Sequence, residues 1–200
     1  MSPVVDSPAF LFAGCQVGAE AALKTELARN WPAFRFAFSR PGFVTFKLPS
    51  QFSMDSDFDL RSTFARCSGW TFDKIDAVLL SERVGALRDF LNQHGLKNLH
   101  IWPRQMLPAG DRRGVGDRIT NAVKEVVAEM RKLSERWSIN ETVRPGALVA
   151  DCILVEPDQW WLGMHQANSV SSRWPGGAYP GTVPPHAVSR AYIKVAEALA

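Results

Sequence analysis

The sequence predicts an α+β fold: two small units of mixed strands and helices, then a linker, then the first turns of another helix. Short apolar runs typical of strands lie between segments whose apolar residues recur at helical spacing. The 200 residues, 46% of them hydrophobic and 22% charged, are enough to bury the core of one large or two small domains. Prolines and glycines without a periodic pattern crowd the stretch from Ser171 to Pro185.

The first unit follows the order strand, helix, strand, strand. Residues 9–16 form an apolar run that predicts a strand, and residues 18–31 carry leucines at helical spacing up to Pro32. Phenylalanines alternate over residues 34–38, and a Pro-Gly turn leads to a return strand at residues 43–48. This order is typical of half of a ferredoxin-like α+β unit.

The first unit is predicted to end at residue 75. We interpret residues 51–59 as a polar, acidic loop, and residues 59–72 as a helix followed by a last strand or connection. The sequence thus assigns residues 1–75 to a ferredoxin-like N-terminal domain and residues 76–170 to a second α+β domain.

The second unit alternates helices and strands. An amphipathic helix ends at Gly95, and residues 97–104 predict a strand. A long helix follows, with Asp117 placed to cap it and apolar residues in one arc as far as Trp137. Residues 147–167 predict a β-hairpin.

Two segments complete the chain. Residues 171–186 form the Pro/Gly-rich linker, and residues 187–200 begin a helix that contains none of the usual stop signals, Gly, Asn or Pro, after it starts. We therefore expect the chain to be the front part of a longer protein, cut within the first helix of a further domain.

The loop before the long helix is the best candidate for a phosphate contact. It combines three glycines with Arg112, Arg113 and Arg118, next to a helix N-terminus whose free N–H groups attract anions. The alternative is a solvated loop whose arginines pair with Asp111 and Asp117. A mononucleotide site is not indicated, because neither a GK[ST] motif nor the spacing G-x-G-x-x-G is present.

The adjacent tryptophans of the hairpin predict one core residue and one outward residue. Successive side chains of a strand point to opposite faces, so Trp160 and Trp161 are expected to differ in burial. The outward indole could stack on an unpaired base, or it could pack against neighbouring parts of the protein.

Composition and motifs exclude several classes of protein. No apolar run is long enough for a membrane helix, and the N-terminus lacks the features of a secretory signal. Three scattered cysteines, Cys15, Cys67 and Cys152, are expected to be buried free thiols in a reducing cytoplasm. No metal site is expected, and no Ser or Cys has the signature of an activated nucleophile. A net charge of +3 permits an anionic partner.

Three stretches resemble a family of two-part RNA methyltransferases: FAGCQVGAEAALKTEL, FSRPGFVTFKL and WWLGMHQANSVSSRWPGGAYPGTVPPHAVSRAYIKVAEAL. Members of this family carry a ferredoxin-like region, a THUMP-type RNA-binding domain, and a Rossmann-like, FtsJ-like domain that methylates the ribose 2′-oxygen with S-adenosylmethionine. The resemblance covers nearly the whole chain and is most specific at the hairpin, the PGG stretch and SRAYIKVAEA.

The resemblance implies roles for residues of the last helix. Its Ser-Arg-x-x-x-Lys-x-x-Glu pattern makes Lys194 the candidate catalytic lysine and Arg190 a substrate or structural partner, while Glu197 has an uncertain role. A nearby cationic or basic group can polarise the weakly nucleophilic 2′-hydroxyl. The rest of the catalytic set and the cofactor loop would follow residue 200, so this chain alone is expected to lack activity.

The resemblance also implies a partner, structured RNA and most specifically ribosomal RNA. Arg112, Arg113 and Arg118 are the first candidates for contacts to its backbone, with Arg104 and Arg173 as weaker ones. Two alternatives stay open at this point. One is a THUMP-bearing enzyme that acts on tRNA or on a base nitrogen, and the other is a ferredoxin-like module that binds a small molecule or a protein. Oligomeric state is not indicated.

Overall fold

The computed structural model of the protein describes residues 8–50, 52, 58–104, 115–180, 195 and 199. Within these ranges the regular elements are strands, three α-helices and two short 3₁₀ turns. The strands are β1 (Phe10–Cys15), β2 (Arg35–Arg40), β3 (Phe43–Lys47), β4 (Ala65–Ile75), β5 (Asn98–Pro103), β6 (Ser138–Ile139), β7 (Leu148–Glu156) and β8 (Gln159–Gln166); the helices are α1 (Glu20–Asn30), α2 (Leu80–Gln93) and α3 (Val115–Leu133); the 3₁₀ turns are Ser171–Arg173 and Pro175–Gly177.

All eight described strands belong to one sheet, in the order β2-β3-β1-β4-β8-β7-β5-β6. Strand β5 is parallel to β6 and β7, and every other pairing is antiparallel. Strand β4 pairs with β1 on one side and with β8 on the other, so the sheet runs without a break past residue 75. The division into domains at that residue stays a prediction.

The predicted order of strand, helix, strand, strand at the start of the chain is confirmed by β1, α1, β2 and β3. The helix predicted within residues 59–72 is wrong, because residues 58–64 are irregular and β4 begins at Ala65. Strand β4 pairs with β1 on one side and with β8 on the other, and its side chains alternate between the two faces of the sheet. These long-range pairings outweigh the local helix propensity of the segment. The ferredoxin-like assignment stays a prediction, since residues 53–57 of the β3–β4 connection lie outside the described residues.

The helices cover one face of the sheet. Helices α2 and α3 pack on a core that includes Leu99, Leu154 and Trp160, while α1 packs on a second core around Leu11 and Phe46. Phe72 of β4 contacts both cores, which joins them across the middle of the sheet.

The opposite face of the sheet carries an aromatic cluster that includes Phe12, Phe43, Trp102 and Trp161. Trp160, on the helical face, and Trp161, on this face, are both buried, at 0% and 9% exposed. The prediction that one of the pair points outward is therefore wrong: Trp161 packs against the rings of Phe43 and Phe38 instead.

Two predicted details of the second unit are corrected. Helix α3 begins at Val115, so Asp117 lies within its first turn rather than ahead of it as a cap. The helix ends at Leu133, and Trp137 is a buried residue just beyond it. No described helix has the length and apolar character needed to cross a membrane.

Candidate nucleic-acid interface

The sheet forks where the two halves of the chain meet. Strand β4 pairs with β8 only from Trp70, opposite Met164, onward. Before that point Ala65–Gly69 pairs with β1 alone, and the end of β8 pairs with β7 alone. Gly69 lies at the apex of the fork, where a Cβ atom would lie only 2.6 Å from the carbonyl oxygen of Met164. The fork opens into a cleft of about 470 Å³.

Polar side chains line most of this fork cleft. Two arginines, Arg61 and Arg66, come from the segment that leads into β4 and from β4 itself. One carboxylate, Asp59, also lines the cleft, but its Oδ1 atom already accepts a hydrogen bond from the backbone N–H of Arg61. The remaining polar lining consists of Ser62, Ser68, His165, Gln166, Asn168, Ser169, Ser171 and Ser172.

Glu26 of α1 fixes the segment that carries Arg61. Its carboxylate accepts hydrogen bonds from the Ser62 hydroxyl and from the backbone N–H of Thr63, 2.8 Å away. Burial works to raise the pKa of Glu26, but the hydrogen bonds from Ser62, Thr63 and Phe64 together outweigh it and hold this pKa below its ordinary value. Arg61 has a φ of 49°, a left-handed conformation uncommon for a residue other than glycine. Such strained residues concentrate at functional sites.

A buried network of hydrogen bonds forms the base of the cleft. Asp151 accepts from the indole Nε1 of Trp102 at 2.9 Å through Oδ1, and its Oδ2 lies 2.5 Å from Nδ1 of His165. The Nε2 atom of His165 donates to the carbonyl oxygen of Ser172 at 2.7 Å. Because an ionised carboxylate and a carbonyl can only accept, this arrangement favours a proton on both ring nitrogens and so the cationic form of the imidazole.

The pKa values of the two buried histidines of this region are shifted in opposite directions. Burial works to lower the pKa of His165, but the charge and hydrogen bond of Asp151 outweigh it, so this pKa is raised. Burial lowers the pKa of His100, whose ring centre lies 5.9 Å from that of His165. The pKa values of these two neighbouring imidazoles are therefore shifted apart. The second ring nitrogen of His100, Nδ1, is buried and has no hydrogen-bond partner among the described residues.

The Pro-Gly-Gly stretch lies against the sheet face that carries the aromatic cluster. Gly176 and Gly177 have φ values of 59° and 69°, which glycine adopts readily. A Cβ atom on Gly177 would lie 2.4 Å from the carbonyl oxygen of Arg66, and one on Gly176 would lie 2.9 Å from the ring of Trp102. The sequence thus needs glycine at both positions, for conformation and for space.

The described part of the predicted linker is ordered in this position. Two 3₁₀ turns replace the irregular structure that we expected for residues 171–180, and Trp174 is buried with its ring edge-on to Tyr179. The ion pair between His165 and Asp151 holds Ser172 to the sheet. The wall of the cleft that contains Ser172 is therefore held in a fixed position against the sheet.

The predicted RNA-contacting residues are distributed over several places. Arg118 is exposed on α3. Arg104 is buried and donates to the carbonyl oxygens of Val155 and Pro41, and Arg173 donates to that of Val143. Four other predicted site residues, and Glu197 with them, lie outside the described residues: Arg112, Arg113, Arg190 and Lys194.

Sequence reasoning missed Arg61 and Arg66. Both lie in the stretch that the sequence predicts to begin with a helix. Only the pairing of β4 with β8 places them in the lining of the same cleft as Asn168 and Ser169. The signal available in the sequence was two arginines with Ser62 and Ser68 close to them, which is weak by itself. The three cysteines are buried free thiols, as predicted, and burial raises the pKa of Cys67 to about 12. No cluster that could hold a metal ion occurs in the described ranges.

No protein-family model and no curated protein matches the chain. Similar solved structures include a possible methylase from Clostridium difficile 630, with 13% identity and a TM-score of 0.45, over 82% of this chain and 43% of that one. TrmN from Thermus thermophilus has 16% identity and a TM-score of 0.44, over 80% and 46% of the two chains. A 4-thiouridine synthetase in complex with RNA and ATP has 11% identity and a TM-score of 0.39, over 80% and 42%. The chain thus spans less than half the length of each.

Proposed function

We propose that this chain is the RNA-recognising part of an S-adenosylmethionine-dependent RNA methyltransferase that modifies a ribose 2′-oxygen of ribosomal RNA. The observation that carries the RNA part of the proposal is the fork cleft, where two arginines and a row of hydroxyl and amide groups line one opening between two halves of a sheet. The family resemblance of the sequence supports the methyltransferase part.

The composition of the cleft suits a sugar-phosphate backbone. Arginine binds phosphate through two parallel N–H donors, and serine and asparagine side chains bind phosphate and 2′-hydroxyl groups. The cleft's carboxylate, Asp59, is engaged by a backbone N–H, so it opposes an anion less than a free carboxylate would.

The rigidity of the cleft favours recognition of a folded RNA shape. Glu26 fixes the segment of Arg61, and the His165–Asp151 pair fixes the segment of Ser172 on the other side. Because both walls are already fixed before RNA binds, they lose little conformational entropy on binding. Proteins that recognise structured RNA rely on shape and on contacts to phosphate and 2′-hydroxyl groups.

The fork cleft does not fit a site for S-adenosylmethionine. Gly69 is the one glycine among the residues that line the fork cleft, and Asp59, the one carboxylate there, is already hydrogen-bonded. We therefore assign no cofactor contact to the residues of this cleft. We propose Lys194 as the group that polarises the ribose hydroxyl and Arg190 as its neighbour on the substrate side, on the resemblance alone.

A THUMP-bearing enzyme that methylates a base, or that acts on tRNA, fits the described residues equally well. These residues would hold RNA in either case and would not touch the reacting atoms. Comparison of ribosomal RNA fragments with tRNA as ligands separates the two substrates.

The test is the affinity for ribosomal RNA fragments across a salt series. The variant Arg61→Asn with Arg66→Gln removes the two cleft charges, and asparagine tolerates the left-handed conformation of residue 61. A control with the same net charge, Arg88→Gln with Lys132→Gln, alters two exposed ion pairs on α2 and α3. We expect the slope of log K against log salt to fall by about two for the cleft variant and to stay unchanged for the control.

A parallel variant, with Arg112, Arg113 and Arg118 all changed to Gln, tests the predicted loop contact in the same assay. If the chain does not bind RNA at low salt, or if the cleft variant behaves like the control, the proposed function of the cleft is wrong. Tighter binding of tRNA than of ribosomal fragments would instead favour the alternative substrate.

A further inference from the structure

The two walls of the fork cleft differ in charge. One wall, the Arg61 wall, consists of the lining residues between positions 58 and 70, and it carries both arginines and the carboxylate of the cleft. The other, the Ser172 wall, consists of Leu148 and of the lining residues between positions 165 and 172. Its one ionisable side chain among the described residues is His165, which is 4% exposed and has a partner at each ring nitrogen. The Ser172 wall therefore meets a ligand with uncharged groups.

The amide side chains of the Ser172 wall are held by the fold. The side-chain nitrogen of Gln166 donates to the carbonyl oxygen of Gly146 at 3.1 Å, and Asn168 is also engaged with another residue. Asn and Gln recognise a base through two simultaneous hydrogen bonds, which requires both polar atoms of the amide. Because these amides already have partners, the wall is poorly suited to reading base edges.

The hydroxyl of Ser172 is also used within the fold. It donates to the carbonyl oxygen of Ser169 at 2.8 Å and accepts from the Ser169 backbone N–H at 3.0 Å. The Ser169 hydroxyl in return accepts from the Ser172 backbone N–H at 3.2 Å. Reciprocal bonds of this kind fix a turn, and His165 holds the same turn from the side of the sheet.

Ser169 and Ser171 retain a hydroxyl proton for a ligand. Their Oγ atoms lie 3.4 Å apart, well beyond the roughly 2.7–2.8 Å of an ordinary O–H···O bond. One bond between them uses only one of their two protons, so at least one proton stays available. Ser169 is exposed, Ser171 is half-buried, and both line the cleft.

A structural role explains Ser171 less well than it explains its neighbours. The hydroxyls of Ser169 and Ser172 form the bonds that fix the turn. The hydroxyl of Ser171 takes part in none of them, and its contact to Ser169 is the only one that it makes within the described part of the chain. A fixed turn therefore presents this hydroxyl to whatever occupies the cleft.

The ribose 2′-hydroxyl is the nucleic-acid group that matches these serines. It donates and accepts, as a serine hydroxyl does, and it is the group by which a protein tells RNA from DNA. Along an RNA strand each charged phosphate is followed by an uncharged sugar. A strand between the two walls can therefore give its phosphates to the arginines and its sugar hydroxyls to the serines.

We propose that Ser169 and Ser171 form hydrogen bonds with ribose 2′-hydroxyl groups, and that these bonds make the fork cleft select RNA over DNA. The arginines supply affinity whatever the sugar, since RNA and DNA carry the same phosphates. The inference rests on the proposed function, because it takes the fork cleft as the RNA site. It adds that the Ser172 wall decides which sugar is accepted.

The test compares one ribosomal RNA fragment with the same fragment carrying 2′-fluoro groups in place of 2′-hydroxyl groups. Fluorine removes the hydroxyl donor and leaves the phosphates in place. The ratio of the two affinities, measured by fluorescence anisotropy at fixed salt, therefore reports the contact to the sugar. We expect the unaltered chain to prefer the hydroxyl form by about fivefold or more, which corresponds to one hydrogen bond of about 1 kcal/mol.

The variant Ser171→Ala carries the test, since none of the bonds that fix the turn involves the hydroxyl of Ser171. It should lower the preference to about twofold or less and leave the affinity for the fluoro form unchanged. Adding Ser169→Ala should remove what preference is left. The matched control is Ser68→Ala, the same change on the Arg61 wall of the same cleft, and it should keep the full preference.

Two results would overturn the inference. One is equal affinity of the unaltered chain for the two forms of the fragment, and the other is the same preference in Ser171→Ala as in Ser68→Ala. If the salt slope depends on Arg61 and Arg66 while the preference does not depend on Ser171, the inference alone is wrong. If the fragments do not bind at low salt, or the slope does not depend on the two arginines, the proposed function is wrong and the inference fails with it.

Discussion

Replacement of Asp151 by alanine tests how firmly the buried network holds the wall of the cleft. The carboxylate is 2% exposed and accepts hydrogen bonds from Trp102 and from His165, which are also buried. The alanine variant leaves the Trp102 indole N–H without an acceptor and removes the partner of the imidazolium. Breaking a buried charged pair from one side costs about 3–5 kcal/mol.

The assay is thermal and urea unfolding of the variant and of the unaltered chain at pH 6. In a protein of this length 1 kcal/mol corresponds to about 2–4 °C, so a loss of about 4 kcal/mol lowers the Tm by roughly 12 °C. A loss below about 1 kcal/mol would refute the reasoning, because it would mean that neither donor needs the carboxylate.

The variant Asp151→Asn is the matched control, because its amide can donate to Nδ1 of a neutral His165 and still accept from Trp102. The pKa of His165 is raised in the folded chain, so the stability from its charged form is fully present below its unfolded pKa, about 6.5, and is lost as pH rises through the folded pKa. The difference in stability between the unaltered chain and this variant should therefore be largest at acidic pH and shrink at alkaline pH. A difference that grows with pH would contradict a charged His165.

Two further predictions concern the walls of the cleft. Gly177→Ala should destabilise the chain by more than the roughly 1–2 kcal/mol that an alanine in the left-handed conformation costs. The new Cβ would also lie only 2.4 Å from the carbonyl oxygen of Arg66. Limited proteolysis after Trp174 should therefore become faster. Gly146→Ala has a similar φ of 75°, and apart from its chain neighbours no atom of the described residues lies within 4 Å of the new Cβ, so it isolates the conformational cost. Equal losses of free energy in urea unfolding for both variants would argue against close packing of the Pro-Gly-Gly stretch. Glu26→Gln should lower the free energy of unfolding by about 1 kcal/mol at pH 7, and by progressively less as pH falls through the lowered pKa of Glu26. Urea unfolding at pH 7 and at pH 3 measures this difference. A loss of stability that is independent of pH would mean that the charge of Glu26 has no part in holding Ser62 and Thr63.

Much of the fold follows from local patterns that the sequence displays. The strands β1, β5, β7 and β8 and the helices α1 and α2 coincide with predicted segments, because apolar periodicity and turn residues mark them. Strand β4 was mistaken in part for a helix, since its small and polar residues, among them Cys67, Ser68 and Gly69, give no clear period of two. Its conformation is decided by long-range pairing with β1 and β8.

The candidate site was less accessible to sequence reasoning than the fold. The fork cleft joins residues near position 61 with residues near position 168, and only the pairing of β4 and β8 brings them together. The role of the Pro-Gly-Gly stretch was also hidden, because proline and glycine are equally typical of a free linker and of a tightly packed turn. The close approach of Gly176 to Trp102 distinguishes the two.

The most direct test of the central claim is to map where RNA touches the chain. Ribosomal RNA fragments are cross-linked to the protein with ultraviolet light, and the modified peptides are identified by mass spectrometry. The account predicts cross-links in the peptides that contain Arg61, Arg66 and Asn168, which line the fork cleft. Cross-links confined to α2 and the exposed face of α3, with none at the cleft, would contradict it.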